Sequence, residues 1–268
     1  MRRRAYGVDF SGAADAGRRI WIAEGAKPRG ALHIEACYPA EDLPGSGSNR
    51  DQALSALRDL IQREGDSAFG LDFPFGLPGE LLKEATWEDF VRAFPQRYAA
   101  AHEFRSGCRA AARGRELRRA TDRKAHTPFA PYNLRIYRQT FFGIRDLLAP
   151  LVVNQAACVL PMQPALPGKP WIIEICPASL LKREGLYFPY KGTARTHRAA
   201  RARIVEHFEH RGALIPVPEV RRTILADANG DALDSVLAAL ATARALRNPA
   251  GLFPTDNCGY PLEWYVYV

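Results

Sequence analysis

The sequence predicts an α/β fold with a mixed sheet flanked by helices. Three observations carry that expectation. Three strand patterns at the start are separated only by turn residues, a capped amphipathic helix follows them, and a short apolar strand follows the helix. A meander succeeded by strand, helix and strand needs a crossover, right-handed where the flanking strands are parallel.

Ala5 to Phe10, Arg19 to Glu24 and Ala31 to Cys37 read as the three strands, with Gly, Pro and Asp punctuating the intervals. A helix is expected from about Arg50 to Glu64: Asn49 suits the N-cap with Gln52 three residues on, Leu54, Leu57 and Ile61 form the apolar stripe, and Gly65 stops it. Ala68 to Asp72 is a short buried strand. Residues 75–130 are long, basic and set about with Pro74, Pro78, Pro95 and Pro128, which reads as an inserted, partly helical lobe. After Pro131, Leu134, Tyr137, Phe141, Ile144 and Leu148 recur at helical spacing, with Arg135, Arg138 and Arg145 on the opposite face. Trp171 to Cys176 is a further strand, closed by Pro177. A helix from about Thr193 to Arg211 is expected to bury Ile204, Val205 and Phe208 and to expose Arg195, Arg198 and Arg201. The last helix runs from near Gly230 to near Leu246. No internal repeat or low-complexity tract is present, so residues 1–268 read as one domain with the basic insertion inside it.

With 268 residues, 47% of them hydrophobic, the chain has ample core. No apolar run approaches the roughly 18 residues of a membrane span, and Met1-Arg2-Arg3-Arg4 leads into a strand pattern rather than a signal peptide. A cytoplasmic protein without a membrane partner is expected. Cys37, Cys108, Cys158, Cys176 and Cys258 form no C-x-x-C pair, which argues against a zinc ribbon or a disulfide frame and for reduced, mostly buried thiols. The formal charge is +8, but residues 92–145 hold 13 Lys and Arg against 3 acids, leaving the remainder of the chain slightly acidic. The excess favours an anionic partner at that segment.

Carboxylates recur where strands or helices would present them. Asp9 ends the first strand in Gly7-Val8-Asp9-Phe10-Ser11-Gly12, and Asp72 ends another in Gly70-Leu71-Asp72-Phe73-Pro74. On parallel neighbours ~4.8 Å apart, the two would share a crevice at the carboxyl end of the sheet; an Asx turn into Ser11-Gly12 is the alternative for Asp9. Glu174 stands between Ile173 and Ile175, where a half-exposed edge strand would also explain it. In the last helix Leu233, Val236, Leu237 and Leu240 form the core stripe, and at about 100° per residue Asp227, Asp231 and Asp234 share one flank that Ala238, Ala241 and Ala245 continue. Small residues there would let the helix lie close to the sheet. Capping or dipole pairing explains Asp227 better than Asp234, with Asp231 between the two. Four or five carboxylates without paired Cys or His select Mg²⁺ or Mn²⁺, and two such ions ~4 Å apart suit phosphodiester hydrolysis.

The Gly-Val-Asp-Phe-Ser-Gly-Ala start, Leu-Asp-Phe-Pro-Phe-Gly-Leu-Pro at 71–78, Glu-Ile-Cys-Pro-Ala-Ser at 174–179, Asp-Ala-Leu-Asp-Ser-Val-Leu-Ala-Ala-Leu at 231–240 and the Trp-Tyr-Val-Tyr ending resemble domain-of-unknown-function family 429. The resemblance implies a ribonuclease H-like fold whose five-stranded sheet has three antiparallel strands first and two more parallel to the first, and it implies a nuclease activity. By motif match Asp9, Asp72, Glu174 and the pair Asp231 and Asp234 would be its acids. Arg119 and Asp122 also resemble a family signature. The basic insertion after Asp72 departs from a minimal core of that kind.

Within the insertion Arg113, Arg115, Arg118, Arg119, Arg123 and Lys124 lie close to Phe104, Phe129 and Tyr132, a mixture suited to phosphate contact and base stacking, with a solvated arginine face as the alternative. His126, His197, His207 and His210 make no convincing ligand set, and His207 and His210 read as exposed. The expectation is a metal-dependent nuclease acting on DNA or RNA. Asp9 would bridge two ions, Asp72, Glu174 and Asp234 would complete their shells, and Asp231 is the second choice in its pair. Ser11, Arg119, Arg123, Lys124, Arg135 and Arg138 would contact substrate. A sugar-kinase or actin-like phosphotransferase shares the strand Asp and small-residue turn but would need a second Gly-rich phosphate loop, which is not evident. A non-catalytic nucleic-acid-binding protein is the third reading.

Overall fold

A computed structural model describes residues 4–26, 30–248, 252, 263, 266 and 267. Strands β1 (Arg4–Asp9), β2 (Trp21–Ala26) and β3 (Leu32–Pro39) form the expected antiparallel meander, with a short helix α1 (Ala16–Arg19) between the first two. Helix α2 (Arg50–Arg63) starts at the predicted cap, where the Asn49 side chain accepts the Gln52 N–H at 3.0 Å. Strand β4 (Ser67–Asp72) then returns parallel to β1.

The basic segment contains helices α3 (Trp87–Arg97), α4 (Ala101–Ala111) and α5 (Ala120–Lys124). Two of the three aromatic residues expected to stack on bases serve packing instead, while Phe129 lines a cleft. Phe104 lies 5.4 Å from Phe94 and 6.1 Å from Phe141 between ring centroids, and Tyr132 is fully buried, its hydroxyl accepting from Leu117 N–H and donating to the Arg115 carbonyl. Phe104 and Tyr132 are therefore core residues, not the stacking platforms expected.

Helix α6 (Tyr137–Phe142) runs through a π-helical stretch, Gly143–Leu148, into α7 (Ala149–Val153). It starts one turn later than the periodicity predicts, and Leu134 is 64% exposed. The π turn has a local cause: Pro150 has no N–H for the carbonyl of Asp146 four residues earlier, and Arg58 donates to that oxygen instead, at 2.5 Å.

Strands β5 (Cys158–Val159) and β6 (Trp171–Ile175) precede α8 (Pro177–Arg183), α9 (Arg195–His210), β7 (Leu214–Pro216), α10 (Pro218–Ala226), α11 (Asp231–Arg247) and β8 (Val266–Tyr267). The sheet has eight strands rather than five, in the order β5-β6-β4-β1-β2-β3-β7 with β8 paired to β6. The three unforeseen strands have two or three residues each, too few to show a period of two. In α9, Arg201 is buried rather than exposed, because its guanidinium donates to the carbonyls of Tyr190, Gly192 and Leu225.

Strand alternation divides the interior into two cores. Tyr6, Val8, Phe69, Leu71 and Ile172 face α2, α3 and the α6–α7 helix, whereas Ala5, Ala23, Ile173 and Ile175 face α8, α9, α10 and α11. Leu233, Val236, Leu237 and Leu240 of α11 are fully buried, each contributing about 1.5–3 kcal/mol. Helix α11 lies on β1 and β4 unusually closely because Gly7 and Gly70 sit side by side under it. A Cβ on Gly7 would collide with the backbone of Ser235 and Ala239, and one on Gly70 with the Thr242 hydroxyl. The expected small-residue flank is thus matched by two glycines in the sheet.

Among the described residues no helix is long and apolar enough to cross a membrane. Cys37, Cys108, Cys158 and Cys176 are free thiols, and Cys258, like Trp264 and Tyr265, lies outside the described residues.

Candidate carboxylate site

Asp9 and Asp72 are register partners on the parallel strands β1 and β4, which places their backbones ~4.8 Å apart. Each lies two residues beyond its strand's glycine, on the same face, so both side chains project to the side covered by α11. That helix carries Asp234 in its first turn and Asp231 at its start. The three elements meet in a cleft of about 680 Å³ at the carboxyl ends of the strands, lined among others by Asp9, Ser11, Asp72, Asp231 and Asp234.

The acids differ in how they are satisfied. Asp234 is 5% exposed and has both oxygens occupied: Tyr190 Oη donates to Oδ1 at 2.6 Å and Lys191 Nζ stands 2.7 Å from Oδ2. Lys191 also lies 3.6 Å from Asp231. Among the described residues the Asp9 and Asp72 carboxylates have no hydrogen-bond or ion-pair partner, although Asp9 is only 9% exposed. Their protonation reflects this. Burial, and then the charge of Asp234, pushes the Asp9 carboxyl well above the usual carboxylate range; the same two causes push Asp72 up to about 8. Asp231 is raised to about 6, by burial first, with Lys191 working in the other direction. Lys191 is held protonated by Asp234 and Asp9 against the effect of its own burial.

Glu174 is placed elsewhere. It is the register partner of Leu71, so it projects to the face opposite Asp9 and Asp72. There Arg119 grips both of its oxygens, one at 2.9 Å, and the Phe75 N–H donates to it at 2.8 Å. Arg119 also makes two bonds to the Asp122 carboxylate, and all three side chains are buried. Glu174 and Arg119, expected as a metal ligand and a substrate contact, thus form with Asp122 a closed ion-pair network at the cleft wall. With its fifth N–H donated to the Glu263 carbonyl at 3.3 Å, the guanidinium keeps no free donor for a phosphate.

The remaining basic candidates lie outside the acid cluster. Arg123 is exposed and donates to the Arg118 carbonyl, Lys124 is exposed, Arg135 lies over the Phe129 ring at 5.4 Å, and Arg138 donates to the Tyr137 hydroxyl. None of these four lines the cleft, whereas Ser11 does, and so do Arg19 and Gln139, which sequence reasoning missed. Gln139 donates to the Asp72 carbonyl at 2.9 Å, tying α6 to the end of β4. Tyr190 and Lys191 were also missed. Their only signal is a polar pair inside the Pro189-Tyr190-Lys191-Gly192 turn. Asp227 caps α11 by accepting the Ala232 N–H at 2.9 Å, and His207, expected exposed, pairs with Glu184 at 3.2 Å.

The uncommitted carboxylate oxygens of Asp9 and Asp72 in the cleft are a donor chemistry that fits a hard divalent cation. As the side chains stand, no group of three or more His, Cys, Asp or Glu among the described residues is gathered closely enough to hold one.

No curated protein and no solved structure matches the chain. One family model, described as "Protein of unknown function (DUF429)", matches residues 7–257.

Proposed function

The chain belongs to the DUF429 family, and from that premise we propose that it is a divalent-metal-dependent nuclease with a ribonuclease H-like core. Strands β3-β2-β1-β4-β6 support the core assignment: the first three are antiparallel neighbours and the last two run parallel to β1, the arrangement the sequence resemblance implies. The short β5, β7 and β8 extend its edges. The observation that carries the reading is the juxtaposition of a buried carboxylate, Asp9, and a half-buried one, Asp72, neither with a partner among the described residues, with Asp234 from the helix above them. Unpaired buried acids are costly, and functional sites are where such cost is retained.

Asp9, Asp72 and Asp234 would hold Mg²⁺ or Mn²⁺, with Asp231 next to them. The bound metal would supply an activated water and stabilise the leaving oxygen of a phosphodiester. The chain itself orients the reacting group. The rigid β1–β4 pair fixes Asp9 and Asp72, the Gln139 amide anchors the β4 end, and Ser11 offers a hydroxyl at the same edge. Arg135 and Arg138, exposed on the basic segment, suit backbone phosphates further along a bound strand.

Incubation of the protein with Mg²⁺ or Mn²⁺ and linear, hairpin and branched DNA and RNA tests the reading. Cleavage that EDTA stops and that Asp9→Asn lowers by more than about 100-fold is expected, since even ligand-supporting residues are worth 10–100-fold at metal sites. Absence of cleavage across these substrates, or full activity in Asp9→Asn, overturns it.

A further inference from the structure

Among the described residues Asp234 is the one acid of the cluster with a partner on each oxygen, and a single dipeptide supplies both. Tyr190 donates to one oxygen at 2.6 Å and the Lys191 ammonium takes the other at 2.7 Å. The two residues differ in their freedom to leave. Tyr190 is 7% exposed and packs into the core beneath α11, whereas the Lys191 side chain is half exposed, on the segment between α8 and α9. The ammonium lies among Asp9, Asp231 and Asp234, which are the groups a divalent ion would engage. One ammonium serves four neighbouring acids there, and its ion pairs reach Asp231 and Asp234 alone.

We propose that Lys191 is a tethered placeholder cation: it occupies Asp234 until a divalent ion enters, and the ion displaces its ammonium toward the cleft mouth, where it contacts the phosphate of the substrate. This rests on the metal-dependent reading of the same site and adds a residue to it. A cation of higher charge at Asp9, Asp72 and Asp234 attracts the carboxylates more strongly than an ammonium does and repels the ammonium itself. The flexible lysine stem allows the excursion without backbone movement, and its three rotatable donors suit a phosphate oxygen. Tyr190 stays, holding Asp234 in orientation as supporting groups do for metal-bound carboxylates.

The decisive experiment titrates Mn²⁺ alone into the EDTA-stripped and dialysed full chain, with free ion counted by its electron paramagnetic resonance signal. Lys191→Met is expected to bind Mn²⁺ at least about five-fold more tightly than wild type, and Lys191→Arg to bind it like wild type, because only the former removes the competing charge. In the Mn²⁺-loaded proteins, inorganic phosphate is expected to bind Lys191→Met at least about five-fold more weakly than wild type. Unchanged or weaker Mn²⁺ binding by Lys191→Met makes the lysine a permanent structural counter-ion and overturns the proposal. Equal phosphate affinity, or none in either protein, overturns its second half. Lys191→Gln provides the same comparison if Met perturbs the fold. Failure of wild type to bind Mn²⁺ at all removes the underlying metal reading as well, whereas binding that Asp9→Asn abolishes and Lys191→Met leaves unaltered removes only the placeholder.

Discussion

Replacing Asp72 by Asn is expected to stabilise the protein, and to do so only at high pH. The side chain has no partner among the described residues, so the isostere breaks no contact and removes one charge from a site shared with Asp9 and Asp234. Burial, and then Asp234, raises the Asp72 carboxyl to about 8. A carboxyl that binds its proton more tightly folded than unfolded favours the folded state fully below the unfolded value near 3.9, and that advantage is lost as pH rises through about 8. At 1.36 kcal/mol per unit, the displacement sets a ceiling of about 6 kcal/mol on the cost of ionising Asp72 in the fold. Asp72 keeps some solvent contact, so the expected gain from Asn is about 1–2 kcal/mol at about pH 9, the size seen when functional strain is relieved. That corresponds to roughly 2–8 °C in Tm for a chain of this length. Thermal and urea unfolding in EDTA at about pH 5 and about pH 9 measures it: the gain should be present at the higher value and shrink by more than half at the lower. A variant less stable than wild type by the same amount at both pH values would refute the idea that this acid is uncompensated.

The buried network on the opposite face predicts the reverse behaviour. Removing Arg119 as Arg119→Met strands Glu174 and Asp122 and is expected to cost about 3–5 kcal/mol in urea unfolding at neutral pH; a cost under 1 kcal/mol would show that the network is not a unit. Gly7→Ala places a methyl against the α11 backbone and should cost about 1–3 kcal/mol, while lowering Mn²⁺ affinity through displacement of Asp234, so unchanged stability and affinity would mean the helix does not set the site. Arg135→Ala and Arg138→Ala should weaken oligonucleotide binding alike for every sequence and lower the salt slope by about 1 each, measured by anisotropy across a salt series; an unchanged slope removes them from the interface.

What the sequence disclosed follows the strength of local signals. The three-strand meander, the Asn49-capped helix and the last helix were legible because each has a long periodic pattern bounded by a cap or turn, and the structure reproduces them within a few residues. The closeness of Asp9 and Asp72 was legible from two strands ending in the same way. The orientation of Glu174 was not: whether it faces Asp72 or turns away depends on the register of β6 against β4, and one residue of slip reverses it. Register is set by long-range packing, as is the burial of Arg119 and Arg201, whose partners lie in other segments. Lys191 was invisible for the same reason, since its turn shows no pattern and its partner lies 43 residues on, at Asp234.

The site's dispersal along the chain also imposes an order in time. Asp9 and Asp72 can pair as soon as β1 and β4 exist, but Asp234 is translated 162 residues after Asp72. At about 5–20 residues per second, that is a delay of roughly ten to thirty seconds. During this interval a nascent chain on a translating ribosome, surrounded by messenger and ribosomal RNA, holds only half of its acids, and the helix that completes the set is not yet made. An enzyme whose substrate is nucleic acid would thereby remain harmless to the machinery that makes it.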